Sequence, residues 1–295
     1  MNIVEIFRLF PTHNDCIAHL EEVRWDNNPT CPYCKSHKST PVKDGFRHHC
    51  NNCYTSYSVT VGTIFHHTHL PIQKWFLAVT LILNAKKGIS ARQLARDLDV
   101  NKNTAWRISM KIRDAMYERE QRELLTGIVE ADETYIGGKP RKTNNPNVPK
   151  DENPRGRGTK KPAVVGFIER GGKVKAQLVN KENGDLTAKK LSALVRKNVD
   201  TENSILMTDE FKGYIQIKNF MGHKTINHSY EYANGDIHTN TIESFWAILK
   251  RGIVGQFHKV SLRYLPKYLD EFCYRFNYRH NDQLFEQTIK NALGV

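Results

Sequence analysis

Four of the six cysteines have the spacing of a metal site. Cys31 and Cys34 form one C-x2-C pair, Cys50 and Cys53 form a second, and fifteen residues separate the pairs. Zn²⁺ takes four ligands in a tetrahedron, and each C-x2-C turn brings two sulfurs to one ion. Two disulfides are the alternative, but the thiols of an intracellular chain stay reduced. The spacing therefore predicts a zinc ribbon, in which a structural Zn²⁺ keeps a small segment folded.

Three carboxylates have the chemistry needed to process phosphodiesters. Asp132 lies in a stretch of alternating apolar and polar residues, Asp209 ends a short apolar run, and Glu243 lies in a later amphipathic segment. Phosphodiester chemistry uses two divalent cations, one to activate the attacking oxygen and one to stabilise the leaving oxygen. Asp and Glu side chains supply the oxygen ligands that Mg²⁺ and Mn²⁺ prefer. The sequence predicts that these three acids form a catalytic metal site.

The first two acids each have a neighbour that could take their place. Glu130 is the main rival of Asp132, because side chains two residues apart in a strand point to the same face. Glu210 is adjacent to Asp209 and creates the same ambiguity there. Taken singly, each acid could be an ordinary solvated carboxylate. Their order along the chain favours a shared site.

The third acid lies in a segment with two further candidate residues. Asn240 precedes Glu243 by three residues, so Glu243 could merely complete an N-terminal capping box. Lys250 follows Glu243 by seven residues, nearly two helical turns, so both side chains project from the same helix face. A cation at this position could hold a DNA phosphate or orient the carboxylate. A plain surface charge near the helix end is the alternative.

The elements that must position the acids follow one another in a recognisable order. The alternating segment GIVEADETYIGG precedes a hairpin, AVVGFIERGGKVKAQLV, which turns at Gly171 and Gly172. The amphipathic helix DLTAKKLSALVRKNV, the strands SILMTDEF and HKTINHS, and the helix NTIESFWAILKRG come next. The order β-β-β-α-β-α-β-α predicts an α/β fold of the ribonuclease-H-like type, with three antiparallel strands and parallel additions covered by helices.

A pair of helices upstream of this fold predicts an all-α DNA-binding domain. Ser90 and Gln93 form a capping box at the start of one helix, and the turn at 99–101 leads to another. The second helix of a helix-turn-helix reaches base edges with its first residues and contacts phosphates with its basic side chains. Its candidate DNA contacts are Lys102, Asn103, Thr104, Arg107, Lys111 and Arg113. An ordinary helical hairpin is the alternative.

The charge balance agrees with a nucleic-acid partner. Lys and Arg number 44 against 31 Asp and Glu, which gives a formal net charge of +13 and a pI of about 9.4. Proteins this basic typically bind polyanions, and nucleic acid is the commonest of these. The hydrophobic content of 39% suffices for a core, which excludes global disorder. Because no apolar span of about 20 residues and no secretory leader is apparent, we expect a soluble cytoplasmic protein without a membrane partner.

The length of 295 residues predicts more than one domain. We expect an N-terminal segment with the zinc ribbon over residues 1–62 and the helix-turn-helix domain over residues 63–122. The ribonuclease-H-like catalytic domain is expected over residues 123–295. Within it, a basic and turn-rich stretch over residues 138–161 predicts a flexible surface loop.

Several longer motifs make the sequence similar to a known family. They are CPYC…CNNC, ADETYIGGK, MTDEFKGY, HTNTIESFWAILKRGI and LPKYLDEFCYRFNYR. These motifs resemble those of the bacterial insertion-sequence transposases of the ISXO-like group, which are DDE transposases with a zinc-ribbon head and an extra lysine after the glutamate. The resemblance covers nearly the whole chain. It implies a ribonuclease-H-like core that cleaves or nicks DNA at element ends and transfers the strands to a target.

The resemblance also assigns roles to residues and partners. It implies that Asp132, Asp209 and Glu243 are the DDE acids, with Lys250 as the additional signature. Because some members of the group are described with an asparagine in place of the third acid, Asn240 is an alternative ligand, with Glu243 as its support. Double-stranded DNA at element ends and target is the expected partner, and a homo-oligomer would bring two ends together. A nuclease of the same fold that never joins strands, and a DNA-binding regulator whose later domain only dimerises, are the alternative functions.

Overall fold

The computed structural model describes residues 1–43, 46–117, 123–137, 161–179, 186–226 and 238–295. The chain divides into two compact units, residues 1–117 with 278–295 and residues 118–277. The predicted basic loop at 138–161 falls outside the described residues except for its last position. No helix in the described ranges combines the length and the apolar character needed to cross a membrane.

The first unit opens with two helices and a small sheet. These elements are α1 (Ile3–Leu9), α2 (His13–Trp25), β1 (Ser39–Pro41), β2 (His48–Cys50) and β3 (Ser56–Tyr57). Each helix begins at a capping box. The side chain of Asn2 or Thr12 accepts the backbone N–H of the residue three positions later, and the carboxylate of that residue accepts the backbone N–H of Asn2 or Thr12. The strands pair antiparallel in the order β1-β2-β3, so the second cysteine pair begins at the end of the central strand.

Three helices continue the first unit. They are α3 (Ile72–Asn84), α4 (Ala91–Leu98) and α5 (Lys102–Ala115). Ser90 Oγ accepts the backbone N–H of Gln93 at the start of α4, and Asn101 caps α5 in the same manner. The chain reverses between them at Asp99, which has a φ of 49° in the left-handed region. The described residues therefore contain the predicted pair of packed helices.

The last helix, α9 (Leu284–Leu293), belongs to the first unit and not to the second. Phe285 is buried, and its ring centre lies 5.4 Å from that of Phe76 in α3 and 6.5 Å from that of Phe10. His19 of α2 lies 3.0 Å from the carboxylate of Glu286. This differs from the domain predicted over 123–295, because the apolar face of α9 is buried against helices from the start of the chain.

The second unit is a five-stranded sheet with helices on both faces. Its elements are β4 (Leu125–Tyr135), β5 (Ala163–Glu169), β6 (Val174–Val179), α6 (Ala188–Asn198), β7 (Val199–Asp209), β8 (Gly222–Ile226), α7 (Asn240–Gly252) and α8 (Leu265–Asn277). The strand order is β6-β5-β4-β7-β8, with β4 antiparallel to β5 and parallel to β7. This is the predicted ribonuclease-H-like arrangement. Between β7 and β8 the expected helix is replaced by two 3₁₀ turns, Lys212–Tyr214 and Ile217–Asn219.

Alternation along the strands creates one core on each face of this sheet. Val165 and Phe167 of β5 pack with Leu191 and Val195 of α6 on the first face. Val164 and Ile168 point the other way, into a core shared with α7 and α8. The helix residues of this second core are Ile242, Phe245, Trp246, Leu249, Leu265, Leu269 and Phe272. The third acid therefore lies on a helix that the central strands hold through an apolar face.

Candidate active site and metal centre

The four predicted cysteine ligands meet around one point. Their sulfurs all lie within 4.8 Å of one another, with 3.7 Å between Cys31 and Cys53 and 3.5 Å between Cys34 and Cys50. A tetrahedral site with Zn–S bonds of about 2.3 Å has sulfur–sulfur edges of about 3.8 Å, so the cluster fits Zn²⁺. Disulfide sulfurs lie about 2.05 Å apart. All four cysteines are free thiols, which excludes the disulfide alternative.

The two cysteine turns are built in the same way. The backbone N–H of Lys35 donates to the carbonyl of Cys31, and that of Tyr54 donates to the carbonyl of Cys50, both at 2.9 Å. Lys35 and Tyr54 both take a left-handed φ, of 60° and 56°. The backbone N–H of Ser36 lowers the pKa of the Cys34 thiol to about 6. This favours the thiolate, which is the form that binds metal ions.

The central strand pair of the second unit places the first two acids side by side. β4 and β7 are parallel, and their register pairs Glu130 with Met207, so Asp132 and Asp209 come level two residues further on. Neighbouring strands lie about 4.8 Å apart, and residues two apart share a face. Asp209 Oδ1 accepts the backbone N–H of Phe211 at 3.0 Å, which orients its carboxylate at the end of the strand.

The helix that carries the third acid is attached to the first acid. Trp246 Nε1 donates a hydrogen bond to Asp132 Oδ2 at 3.1 Å. Glu243 precedes Trp246 by three residues, so the two are neighbours on the surface of α7. Glu243 Oε1 accepts the hydroxyl of Thr239 at 3.1 Å. Because Thr239 and not Asn240 is the N-cap of α7, the alternative capping box of Asn240 and Glu243 does not form.

A glycine makes room for the tryptophan. Gly166 of β5 pairs directly with Asp132 of β4. A β-carbon at Gly166 would lie 2.5 and 2.6 Å from two ring atoms of Trp246, far inside van der Waals contact. The missing side chain therefore allows the indole to lie on the sheet at the point where its N–H reaches Asp132. Neither Gly166 nor Trp246 was singled out from the sequence, because their relationship exists only in the folded chain.

Asp132 is the acid most affected by its surroundings. Burial raises the pKa of its carboxyl group from 3.8 to about 7, and the negative charges of Glu133, Asp209 and Glu243 add to the rise. The backbone N–H of Glu133 opposes the rise by donating to Asp132 Oδ1 at 2.8 Å. The three predicted acids are thus close enough to repel one another. A bound cation would remove this repulsion, and oxygen ligands of this kind fit Mg²⁺ or Mn²⁺.

The acids are spread more widely than the cysteines. Of the His, Cys, Asp and Glu side chains that the structure describes, the four cysteines make up the one group of three or more that could hold a metal ion together. Two cations about 3.5–4 Å apart would be held by ligands on both sides, so their ligands need not converge on one point. Asn240, Glu243 and Lys250 are all exposed on α7. Glu133 is a fourth nearby carboxylate, whose Oε2 accepts the buried hydroxyl of Tyr214 at 3.3 Å.

Glu130, the main rival of Asp132, lies beneath the site. Its side chain is completely buried, and its oxygens accept hydrogen bonds from Arg170 and from Thr241 and Ile242 at the start of α7. Sequence reasoning did not find this role. Glu130 and Asp132 occupy equivalent positions in the alternating pattern of β4. Only the packing of α7 on the sheet shows which of the two is buried under the helix.

The predicted DNA-contacting residues at the start of α5 are accessible. Lys102, Asn103 and Arg107 are exposed, and Thr104 is half-buried. Trp106 is 39% exposed and lies between these polar positions in the sequence. The exposed side of α5 therefore combines basic, amide and aromatic side chains, which is a composition suited to contacts with DNA.

The two basic residues near the end of α5 are less accessible than the polar residues near its start. Lys111 Nζ donates to the carbonyl of Ile64 at 2.7 Å, and burial lowers the pKa of this lysine. Arg113 is only 1% exposed and donates to Ser109 Oγ at 3.1 Å. Arg113 is buried and does not make the predicted phosphate contact, whereas Lys111 is half-buried and its phosphate contact stays a prediction. Basic residues are usually exposed, and no local pattern distinguishes these two from the other basic residues of the helix.

Comparison with known proteins decides the family. Residues 124–277 match the ISXO2-like transposase domain. The chain belongs to this family. Residues 11–56, which contain all four clustered cysteines, match the transposase zinc-ribbon domain. The resemblance drawn from the motifs is therefore confirmed, and the chain is a DDE-type DNA transposase that cleaves and transfers DNA strands at insertion-sequence ends.

The transposase is similar to a protein of another mobile element and, more distantly, to solved structures. It is 29% identical over 288 residues to an uncharacterised protein in the transposable element ISH50 of Halobacterium salinarum, covering 93% of this chain and 92% of that protein. A chain in the crystal structure of the Mos1 strand transfer complex is 15% identical in sequence to this chain. The two match with a TM-score of 0.31 over 74% of this chain and 75% of that one. The mariner Mos1 paired-end complex with Mg is 16% identical, with a TM-score of 0.32 over 97% and 94% of the two chains.

Proposed function

We propose that Asp132, Asp209 and Glu243 hold two Mg²⁺ or Mn²⁺ ions at the catalytic centre of the transposase. The observation that carries this assignment is the register of β4 and β7, which brings Asp132 level with Asp209. The hydrogen bond from Trp246 to Asp132 then sets the helix of Glu243 beside them. When bound, the two cations would activate the attacking oxygen and stabilise the leaving oxygen.

The protein's own side chains supply orientation. Trp246 and the N–H of Glu133 each hold one oxygen of Asp132, so this carboxylate has a fixed direction. Thr239 does the same for Glu243. Lys250 is exposed two turns after Glu243, where its ammonium can contact a DNA phosphate. Asn240 is exposed one turn before Glu243 and is the alternative third ligand.

The reaction has two phosphoryl-transfer steps in the same site. In the first, the oxygen of water attacks phosphorus at the element end, the bond from phosphorus to the 3′ oxygen breaks, and the 3′ oxygen leaves as a hydroxyl. In the second, that hydroxyl attacks a phosphodiester of the target, and a target 3′ oxygen leaves. Each step exchanges one P–O bond for another and needs no covalent protein intermediate.

The first unit has features that suit recognition of element ends. The exposed side of α5 carries Lys102, Asn103 and Arg107, with Thr104 at its edge. A helix of this kind reads base edges in the major groove, and its basic residues contact phosphates. The four cysteines hold a structural Zn²⁺, which stabilises a ribbon too small to have a substantial core of its own.

Assembly and location follow from the reaction. Two element ends must be brought together for coordinated joining, and a symmetric homo-oligomer is the simplest arrangement that does so. A protein that acts on DNA in this way would be cytoplasmic and associated with the nucleoid while bound.

The experiment uses the purified transposase, pre-cleaved and uncleaved duplexes carrying the inverted repeats that flank its coding region, and a plasmid target. With Mg²⁺, the wild-type protein should cleave the uncleaved duplex and join the pre-cleaved duplex to the plasmid. Asp132→Asn and Asp209→Asn should lose both activities while still shifting the duplex in a gel. Glu210→Gln, next to Asp209, serves as the matched control and should retain them.

Three outcomes would overturn the assignment. Cleavage without joined products would indicate a nuclease and not a strand-transfer enzyme. Duplex binding without metal-dependent cleavage in the wild-type protein would indicate a regulator. Full activity in Asp132→Asn would show that the metal ions are held elsewhere.

A further inference from the structure

Glu130 has four hydrogen-bond donors around a completely buried carboxylate. Oε1 accepts Arg170 Nε at 2.7 Å and the hydroxyl of Thr241 at 2.9 Å. Oε2 accepts the backbone N–H of Thr241 at 2.9 Å and that of Ile242 at 3.0 Å. The two N–H groups belong to the first turn of α7, where an α-helix has no internal acceptors for its amides. Glu130 therefore caps α7 from a different part of the chain.

Arg170 completes this buried group and supplies the opposite charge. Its Nη2 donates to the carbonyl of His238 at 2.9 Å and approaches His238 Nδ1 at 3.0 Å. The backbone N–H of Asn240 also points to His238 Nδ1, at 3.4 Å. Because two donors point at Nδ1, this nitrogen accepts, and its 3.3 Å approach to Glu130 is a contact and not an ion pair. His238, just before α7, is thus hydrogen-bonded to Arg170, which also binds the capping carboxylate of Glu130.

The same face of β4 holds α7 at two places. Glu130 binds the helix at Thr241 and Ile242, and Asp132 binds it at Trp246. Two residues of a strand span roughly 6.6 Å and five residues of a helix roughly 7.5 Å, so the two attachments match in length. Glu243 lies between the attachment points, so its position relative to Asp132 depends on both.

We propose that Glu130 is a positioning residue, which fixes the first turn of α7 and thereby sets the distance between the carboxylates of Glu243 and Asp132. This inference rests on the function proposed above for Glu243. Glu130 is not itself a metal ligand, because its oxygens are buried and engaged by four donors. An acid at a helix N-terminus also interacts favourably with the helix dipole, which strengthens the attachment.

The test measures the Mg²⁺ concentration that gives half-maximal cleavage of a labelled element-end duplex. Glu130→Gln should raise it about tenfold, the lower end of the range for residues that support metal ligands. Because this variant could fold poorly, Thr241→Val is measured in parallel. It removes one hydroxyl donor and keeps the backbone N–H, so it should give a smaller rise. Thr241→Ser returns the hydroxyl and should restore the wild-type value.

The remaining measurements separate positioning from other roles. Duplex binding of Thr241→Val should equal that of the wild type, and its unfolding temperature should fall only slightly, because one of four hydrogen bonds to Glu130 is lost. If Glu130→Gln lowers the unfolding temperature but leaves the Mg²⁺ dependence of cleavage unchanged, Glu130 has only a structural role and the inference is overturned. Loss of calorimetric Mg²⁺ binding in Glu130→Gln to the extent seen in Asp132→Asn, with Thr241→Val unaffected, would make it a ligand and also overturn it. Activity in Asp132→Asn would instead refute the proposed catalytic site.

Discussion

Trp246 and Asp132 are joined by a hydrogen bond of 3.1 Å between the indole nitrogen and a carboxylate oxygen, across 114 residues of sequence. The bond makes the first proposed metal ligand part of the contact between sheet and helix. Packing of the apolar face of α7 and orientation of this proposed ligand are therefore not independent properties of this transposase.

A methyl group at Gly166 should break this relationship. In Gly166→Ala the new carbon would meet the Trp246 ring at 2.5 Å, so the indole must move away from Asp132. We expect cleavage activity to fall at least tenfold and stability to fall by about 1–3 kcal/mol, the usual cost of overpacking. Gly222→Ala is the control, since its nearest contact would be an ordinary 3.4 Å. Equal activity in the two variants would contradict the proposed role of the indole.

The metal-free transposase should lose stability as the pH rises through the acidic range. Burial raises the folded-state pKa of Asp132 from 3.8 to about 7, so the unfolded chain ionises first. The resulting loss begins above about pH 4, is complete near pH 7, and is on the order of 4 kcal/mol. Urea unfolding at several pH values measures it. Asp132→Asn should not show this pH-dependent loss of stability. Mg²⁺ should restore the stability of the wild-type protein at pH 7.

Removal of one thiolate should release the ribbon's metal. Cys34→Ser leaves three ligands at a site that needs four, so zinc measured in the purified protein should fall from about one ion per chain to almost none. Cys273→Ala lies outside the cluster and should retain the full amount. Wild-type zinc content in Cys34→Ser would refute the four-thiolate assignment.

Two lysines on α5 should respond differently to substitution. Lys102 is exposed, so Lys102→Ala should weaken duplex binding and reduce the slope of log affinity against log salt by about 1. Lys111 donates to the carbonyl of Ile64, so Lys111→Ala should lower the unfolding temperature and leave the slope unchanged. Titrations at several salt concentrations distinguish these outcomes. A reduced slope for Lys111→Ala would instead support the predicted phosphate contact.

The sequence predicted the parts of this protein that depend on local pattern. Cysteine spacing located the thiolate cluster, and strand alternation with helical periodicity located the sheet and α7. It did not predict contacts that join distant segments. The cap of α7 by Glu130 spans 111 residues and depends on the docking of a helix on a strand. Arg113 shows the same limit, because its burial depends on which side of α5 faces the unit's interior.

The topology of the first unit has a consequence for biosynthesis. α9 completes its core, yet α9 is translated only after every strand of the catalytic unit has left the ribosome. A polypeptide whose synthesis stops early would contain the ribbon and α5 but lack the helix against which Phe76 packs. Under the DNA-binding role proposed for α5, interrupted translation products would be poorly equipped to occupy element ends without the enzyme that acts on them.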